Sequence, residues 1–499
     1  MPWLILISAI YVPAALFPQE EADRTYVVQA VKYRINGRTT VTALDRELKI
    51  RRGERFAGLQ ALEKYVDEKR RELSNMRTLD VSASEIVYTL GAEEKAGENP
   101  PEIPVYIELV VTDTRNLLIL PEPKYDSNSG FTLSLKARDY NFLGTLSPLK
   151  LDLIWGGDEE GESMAGFLVN SDIPFRALGL DWNFDFDHDF RYYFDAPVYY
   201  KNVTGLSVDL PVRSTVFTFG FEQGLVIHEK DRDAKNDGGY HSGYAYSKLY
   251  ADWEIPTGIE AGNFGPLRYT PGIYGNLNYR PGGDLGDYRR GPNAGFMHNL
   301  GFGRIDWREN FRQGLKAQVF NGNDYNFFHR RWKNTAGFLA EGHLVLSRFF
   351  GLSGRLLYTR WIKDSHDMAG DVIRGYKDNQ LDATQRLSLN MDFPVRLIRF
   401  LPSRRNEKTG FLDFEMHLSA FVDLLLADAE GKDRNAPDYS FIPEDLLAAA
   451  GLEIIVFPLK WRSVFLRASA GWNIREWLRT GSPPGGIHRE FFVGMGHLY

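Results

Sequence analysis

Four consecutive residues, Ile373-Arg374-Gly375-Tyr376, combine a fixed cation, a flexible backbone position and an aromatic ring. An arginine presents a planar fork of donors that can grip a carboxylate through two parallel hydrogen bonds. The glycine tolerates positive φ and close backbone approach, and the tyrosine supplies packing surface. These residues could therefore latch a loop onto a carboxylate inside a barrel. Without such a barrel, Arg374 is an ordinary exposed loop arginine.

The sequence carries no pattern typical of catalysis or of metal or cofactor binding. It has no cysteine, which excludes disulfides, thiolate zinc sites and cysteine nucleophiles. The Gly-x-Ser-x-Gly, His-Glu-x-x-His and phosphate-loop patterns are absent, and the ten histidines show no ligand spacing. The carboxylates of Asp181–Asp189 recur at a spacing of two, which favours one solvated strand face over a cation site. We expect a protein that is not an enzyme and that has no catalytic, metal-binding or cofactor-binding residues.

The apolar run from Met1 to about Phe17 is too short for a spanning helix and is typical of a signal-peptide core. No Lys or Arg precedes it, which departs from the usual pattern. We predict a signal peptide over residues 1–19, with a buried N-terminal strand or helix as the alternative. A net charge of −7 without a basic stripe argues against nucleic acid as a partner.

Residues 24–115 have the pattern of a small α/β domain with the order β-α-α-β-β. A strand over Tyr26–Ile35 ends at an Asn-Gly turn. Thr42, with Asp45 three residues later, resembles a capping box that opens a short helix. A second helix over Leu59–Met76 places its apolar residues near one face, and two strands follow. Another small α/β module remains the alternative.

From residue 120 to 499, short amphipathic runs recur with turn signals between them. Leu180–Asp187 alternates strictly between apolar and polar residues, which indicates a strand. A soluble sandwich would also alternate, but paired aromatics near strand ends and connections of unequal length favour a transmembrane barrel. At roughly 9–11 residues per spanning strand plus connections, this region suits roughly sixteen strands. The predicted fold class is mainly β, a 16-stranded antiparallel transmembrane β-barrel after one small α/β domain.

The order of these parts resembles the BamA/TamA superfamily of outer-membrane assembly and translocation barrels, also called the bacterial surface antigen family, with a single POTRA-like domain. Ile35-Asn-Gly and Gly53-Glu-Arg-Phe56 resemble POTRA sequences. The segments that resemble the barrel are Leu120–Tyr125, Asp139–Gly144, the loop motif Ile373–Tyr376, Leu389–Pro394 and Phe421-Val-Asp423. In such barrels the motif loop folds back into the lumen and its arginine meets a strand aspartate. The resemblance implies a lumen-loop latch of Ile373, Arg374, Gly375, Tyr376 and Asp423, although Leu425 stands where the family usually has glycine.

The resemblance also implies a location and a role. We expect an outer-membrane barrel with its POTRA-like domain in the periplasm. It would assemble, insert or translocate unfolded outer-membrane or secreted polypeptides, captured by β-augmentation. Periplasmic or lipoprotein partners and outer-membrane lipid would surround it. A secretion pore for one dedicated partner and a passive porin with a lumen-loop plug are the alternatives.

A lateral seam is expected where the first barrel strand, about Phe131–Tyr140, meets the last, about Ile487–Tyr499. Glycines in a strand weaken pairing, and they also serve close packing against a neighbour. A weak seam could open and expose backbone groups that template an incoming strand. The candidate seam residues are Phe131, Leu133, Gly494, Gly496 and Tyr499.

Overall fold

The chain was analysed as a computed structural model. The structure describes residues 24–92, 102–127, 130–157, 162–195, 197–227, 229–230, 240–241, 243–280, 290–362, 367–376, 381–405, 407–431, 438–460, 464–485 and 488–497. The predicted signal peptide over residues 1–19 and the candidate seam residue Tyr499 lie outside the described residues.

A small domain of four strands and two helices forms the N-terminal part of the described chain. The strands β1 and β4 are parallel neighbours at the centre of the sheet, whose order is β2-β1-β4-β3. The predicted order lacks one strand, β2, whose three residues pair antiparallel with β1 and are too few to give a periodic signal. The elements are β1 Thr25–Asn36, α1 Val41–Leu48, β2 Arg55–Ala57, α2 Leu59–Asn75, β3 Glu85–Leu90 and β4 Glu102–Thr112.

The N-cap of helix α1 lies two residues before the predicted capping residue. Thr40 is the N-cap, and its Oγ1 accepts a hydrogen bond from the backbone N–H of Ala43 at 3.2 Å. The capping box predicted at Thr42 is therefore wrong, because Thr42 already lies inside the helix. Threonine before the first helical residue satisfies a donor that has no partner within the helix.

The long strands that follow form one closed antiparallel barrel, and the short strands Glu229–Lys230 and Tyr240–His241 form a separate two-stranded sheet. Within the described chain, eighteen strands make its wall, so the predicted number of sixteen is wrong. The strands are β5 Leu117–Asp126, β6 Gly130–Asp139, β7 Leu149–Gly157, β8 Ser163–Ala177, β9 Leu180–Tyr193, β10 Tyr199–Val212, β11 Thr215–Ile227, β12 Tyr244–Glu260, β13 Pro266–Tyr279, β14 Pro292–Arg308, β15 Phe311–Asn326, β16 Arg331–Val345, β17 Gly351–Ile362, β18 Leu381–Phe400, β19 Phe414–Gly431, β20 Leu447–Pro458, β21 Val464–Asn473 and β22 Arg489–His497.

Very short turns explain the larger strand number. Only Leu178 and Gly179 join β8 to β9, and both have positive φ, 55° and 77°. Two residues with positive φ form the tight hairpin turn that matches the twist of the strands. Turns of two residues also join β10 to β11 and β14 to β15. The estimate of sixteen allowed too many residues per connection.

The first barrel strand lies earlier in the chain than predicted. The barrel closes between β22 and β5, which begins at Leu117, and the strand predicted to be first is the second strand, β6. Tyr125 and Asp126 of β5 pair with Val493 and Phe492 of β22, and these two residue pairs make up the ladder among the residues that the structure describes. Pro121 and Pro123 lie inside β5, although proline within sheets is confined to edge strands, first positions and bulges. The seam is therefore displaced by one strand from its predicted place.

The alternation seen in the sequence corresponds to the two faces of the wall. Phe219 and Phe221 of β11 are exposed on the outside, as are Leu452 and Ile454 of β20. In β9 the aspartates alternate with exposed Phe184, which places the carboxylates on the inner face. No helix in the described part of the chain is long and apolar enough to cross a membrane.

The small domain contacts barrel turns at two places. At the turn between β6 and β7, the backbone N–H of Thr40 donates to the carbonyl of Gly144 at 2.9 Å. At the turn between β14 and β15, Arg77 is buried and donates to Asn310 Oδ1 at 3.0 Å, with its guanidinium 4.5 Å from the ring centre of Trp307. These turns lie eight strands apart around the barrel. The small domain therefore spans this mouth of the barrel.

Candidate lumen latch and barrel seam

Arg374 holds the loop between β17 and β18 against the inner wall. Its Nε and Nη2 atoms donate to the two carboxylate oxygens of Asp423 in β19, at 2.8 and 2.7 Å. Its backbone N–H also donates to Asp423, at 2.9 Å. Two parallel charge-assisted bonds fix both the position and the orientation of the guanidinium. The structure thus brings together the two residues that the motif resemblance paired.

Two further side chains complete the environment of Arg374. Asp392 of β18 accepts from Nη1 at 2.7 Å, and the ring of Phe421 lies 3.8 Å from the guanidinium carbon. Asp423 is fully buried, with an exposed fraction of 0%. A buried carboxylate is tolerated only when it is paired and hydrogen-bonded, so Asp423 depends on the loop for its partner. The loop in turn depends on Asp423 for its position.

Gly375 lies where a side chain would not fit. Its φ is +101°, and an added Cβ would lie 3.0 Å from the backbone of Trp472 and 3.1 Å from the side chain of Ala449. Its N–H donates to a carboxylate oxygen of Glu490 in β22, at 3.2 Å. The loop therefore reaches across the inner faces of β19, β20 and β21 and contacts the last strand of the barrel.

Tyr376 anchors the end of the motif beside the segment that leads into β22. It is buried, its hydroxyl accepts a hydrogen bond from the side-chain amide of Asn473, and its ring lies edge-on to His488 with centroids 5.6 Å apart. Asn473 Nδ2 also lies 3.2 Å from His488 Nδ1. Burial lowers the pKa of His488, with an opposing effect from Glu476. The neutral ring is therefore favoured as the acceptor in this contact.

Leu425, which stands where the resembled family usually has glycine, packs in the same apolar cluster as Ile373 of the loop. Both are buried, and both belong to one apolar cluster that includes Leu381, Leu447 and Ala449. A leucine at position 425 therefore adds apolar surface beneath the loop, where the family usually has glycine. The change leaves the pairing of Arg374 with Asp423 intact.

The candidate seam residues fall into two groups. Gly494 and Gly496 lie in β22, beside the seam. Phe131 and Leu133 lie in β6, where they pair with Tyr125 and Pro123 of β5, and their side chains are exposed. Their predicted place on the first strand is wrong, because that strand begins at Leu117.

Three contact residues of the latch were not singled out from the sequence: Asp392, Asn473 and Glu490. Asp392 lies in the segment Leu389–Pro394, and it shares a strand face with Asn390, which pairs with Asp423. Strand alternation together with this register could have found it. Asn473 and Glu490 left no such signal, because their contacts depend on how far the loop reaches. Among the described residues, no group of three or more His, Asp or Glu side chains could hold a metal ion.

Solved structures similar to this chain are outer-membrane barrels. CdiB from Acinetobacter baumannii matches at 11% identity over 94% of this chain and 74% of its own, with a TM-score of 0.49. BamA from Haemophilus ducreyi lacking POTRA domains 1–3 matches at 12% identity over 94% and 85%, with a TM-score of 0.39. CdiB from Escherichia coli matches at 10% identity over 98% and 92%, with a TM-score of 0.44.

The chain is thus similar to barrels of the BamA and CdiB kind, as its motifs predict. No family model and no curated protein matches the sequence.

Proposed function

We propose that this chain is an outer-membrane barrel that opens between β5 and β22 to insert or translocate unfolded polypeptides. The single observation that carries this proposal is the seam, where the described parts of the end strands share a ladder of two residue pairs. Neighbouring long strands elsewhere in the described wall pair over eight or more residues, as β17 and β18 do from Ser353 to Arg360. A strand edge with few partners is a template for another strand.

A passive porin accounts less well for this arrangement. In lipid, each backbone polar group needs an internal partner, so a permanent pore gains from a wall that is paired along its whole length. A barrel that admits a client strand needs one joint that opens at low cost. The short ladder at β5 and β22 suits the second requirement.

The latch supports the same function from inside the barrel. Through Glu490 and Gly375 the loop contacts β22, and through Arg374 and Asp423 it is fixed to β19. The loop therefore supports the β22 side of the seam from within the barrel. The ladder that joins β5 to β22 is short. We propose that β5 separates from β22 and that the latched strands β19 to β22 stay in place.

We also propose where the small domain lies and which polypeptides the barrel receives. The small domain lies at the periplasmic mouth, where it meets clients before they reach the seam. The clients are unfolded outer-membrane or secreted polypeptides, and periplasmic or lipoprotein partners deliver them. A secretion pore for one dedicated partner remains the second role that uses the same gate.

Cross-linking to a client tests the proposal directly. The chain has no cysteine, so V493C places a single thiol on the outer face of β22, with L452C on exposed Leu452 of β20 as the matched control. A urea-unfolded eight-stranded barrel polypeptide with single cysteines is added to the full chain in lipid vesicles. We expect disulfide-linked client at V493C and little at L452C. Equal yields at both positions would contradict the proposed gate.

A further inference from the structure

At the seam, a side chain of β5 takes the place of a backbone hydrogen-bond acceptor that a fully paired neighbouring strand would supply. Ser127 continues the two-pair ladder at one end, where its N–H donates to the carbonyl of Phe491 at 3.0 Å. At the other end the ladder stops after Tyr125 and Val493. Beyond that point, the backbone N–H of Met495 needs another acceptor, because buried backbone donors are almost always paired.

Two prolines explain why the ladder stops. Pro121 and Pro123 lie in β5 and pair with Leu135 and Leu133 of β6. Proline has no N–H, so it weakens a ladder on the side where that donor would point. Its place within sheets is an edge strand, with the missing donor directed away from the paired neighbour. The edge of β5 that faces β22 is therefore poor in donors from Pro123 back to Pro121.

Glu122, between these prolines, supplies the acceptor that Met495 needs. Its Oε1 accepts from the backbone N–H of Met495 at 2.9 Å, and its exposed fraction is 5%. The ammonium of Lys136, in β6, lies 2.6 Å from the other carboxylate oxygen. The nearby cation compensates the buried charge, and the backbone donor satisfies Oε1. The carboxylate thus takes the position of a backbone carbonyl on an absent neighbouring strand.

We propose that Glu122 is a clasp that occupies the Met495 N–H until a backbone carbonyl of a client strand replaces it. This inference rests on the proposed function and specifies its first step. A carbonyl and a carboxylate are both acceptors, so the exchange leaves the Met495 N–H paired before and after. Lys136 stays beside Glu122 on β6 and keeps the displaced carboxylate compensated. The client needs only an extended segment with a free carbonyl, so recognition does not depend on its side chains.

Hydrogen exchange at the Met495 amide tests the clasp without any client. The full chain in lipid vesicles is compared with E122A, which removes the acceptor, and E122Q, which keeps a side-chain oxygen. Loss of a hydrogen bond to a charged group corresponds to about ten- to a hundred-fold faster exchange. We expect that change in E122A, and exchange in E122Q closer to the unaltered chain. E222A is the matched control, since Glu222 of β11 pairs with Lys248 of β12 at 3.0 Å, away from the seam.

A second variant acts in the opposite direction and removes no buried charge. P123A restores a backbone donor that can bond to a carbonyl of β22 and lengthen the ladder, which brings a backbone carbonyl of β5 to the Met495 N–H. We therefore expect slower exchange at Met495 and slower capture of the unfolded barrel polypeptide. The clasp is overturned if E122A and E222A exchange alike, or if P123A exchanges at the unaltered rate. Failure of V493C to capture client would instead overturn the proposed function, because the exchange experiment contains no client.

Discussion

The guanidinium of Arg374 neutralises a carboxylate that has no contact with solvent. Removing one partner of a buried ion pair leaves an uncompensated charge, at a cost of about 3–5 kcal/mol. We therefore expect R374A to lower the temperature at which the barrel loses its compact form in SDS electrophoresis. Activity of the gate would fall with it, since the loop would no longer support β22 through Glu490.

An exposed arginine serves as a control that separates the effect of burial from the effect of losing an ion pair. Arg176 also donates through Nε and Nη2 to one aspartate, Asp181, at 2.9 and 3.3 Å, but this pair is exposed. Exposed pairs contribute about 0–1 kcal/mol. R176A should therefore unfold close to the unaltered chain. Equal shifts in R176A and R374A would contradict the latch.

Gly375 is a second position where one residue decides the fit of the loop. In G375A a Cβ would meet the backbone of Trp472 in a conformation that L residues rarely adopt. Overpacking and backbone strain each cost about 1–3 kcal/mol. G481A is the control, because Gly481 has φ +70° with open space around it. We expect G375A to lower the unfolding temperature more than G481A does, and the reverse order would exclude a close approach at residue 375.

At the residue scale, the sequence predicted the residues that belong to motifs. It missed the contacts that depend on how distant segments of the chain fold together. Arg374 and Asp423 were identified by resemblance and lie 2.7–2.8 Å apart in the structure. Glu490 could not be found in this way, because its contact with Gly375 joins positions 115 residues apart. Glu122 was visible only as a charge between prolines. Its function depends on where β5 begins.

At the scale of elements, the helix α3 (Ile474–Thr480) and the segment after it connect the loop to the last strand. Asn473 caps this helix by accepting from the N–H of Glu476, and its amide also meets Tyr376 and His488. Tyr376 belongs to the loop, and His488 directly precedes β22. A change at His488 therefore alters the contacts of the loop and of the start of β22 at the same time.

The pH dependence of this contact has a definite sign. The pKa of His488 is lower in the folded chain than its usual value of about 6.5. The unfolded chain then binds more protons below that value, so stability falls as the pH falls from about 6.5 through the folded pKa. Protonation also removes Nδ1 as an acceptor for Asn473. After correction for the base-catalysed intrinsic exchange rate, we expect lower protection of the amides at the start of β22 at pH 5 than at pH 7.5, and a smaller difference in H488Q.

Element prediction succeeded where periodicity carried the signal. Alternation gave the strands and their two faces, and α2 was predicted from Leu59 with its end one residue from the observed Asn75. The strand number was wrong, because two-residue turns such as Leu178–Gly179 carry almost no composition signal. The first strand was missed because Pro121 and Pro123 argue against a strand everywhere except at an edge. That edge is the seam.

At the scale of the whole molecule, one closed wall has one weak joint. The small domain contacts two turns on opposite sides of one mouth, and the loop supports β19 to β22 from within. The loop holds the β22 side of the seam, and the small domain contacts the turn between β6 and β7 on the other side, which leaves the boundary between β5 and β22 as the place of least resistance. Opening there exposes the edges of β5 and β22 at the same time.

A disulfide across the seam is the most direct test of this account. Tyr125 pairs with Val493, so Y125C and V493C together should form a bond that locks β5 to β22. The control pair is L133C with W155C, which are paired neighbours on β6 and β7 with exposed side chains. Insertion of the unfolded barrel polypeptide into vesicles is measured with and without reductant. We predict that the oxidised seam pair abolishes insertion, that reductant restores it, and that the control pair leaves it unchanged, whereas undiminished insertion by the locked seam would contradict the account.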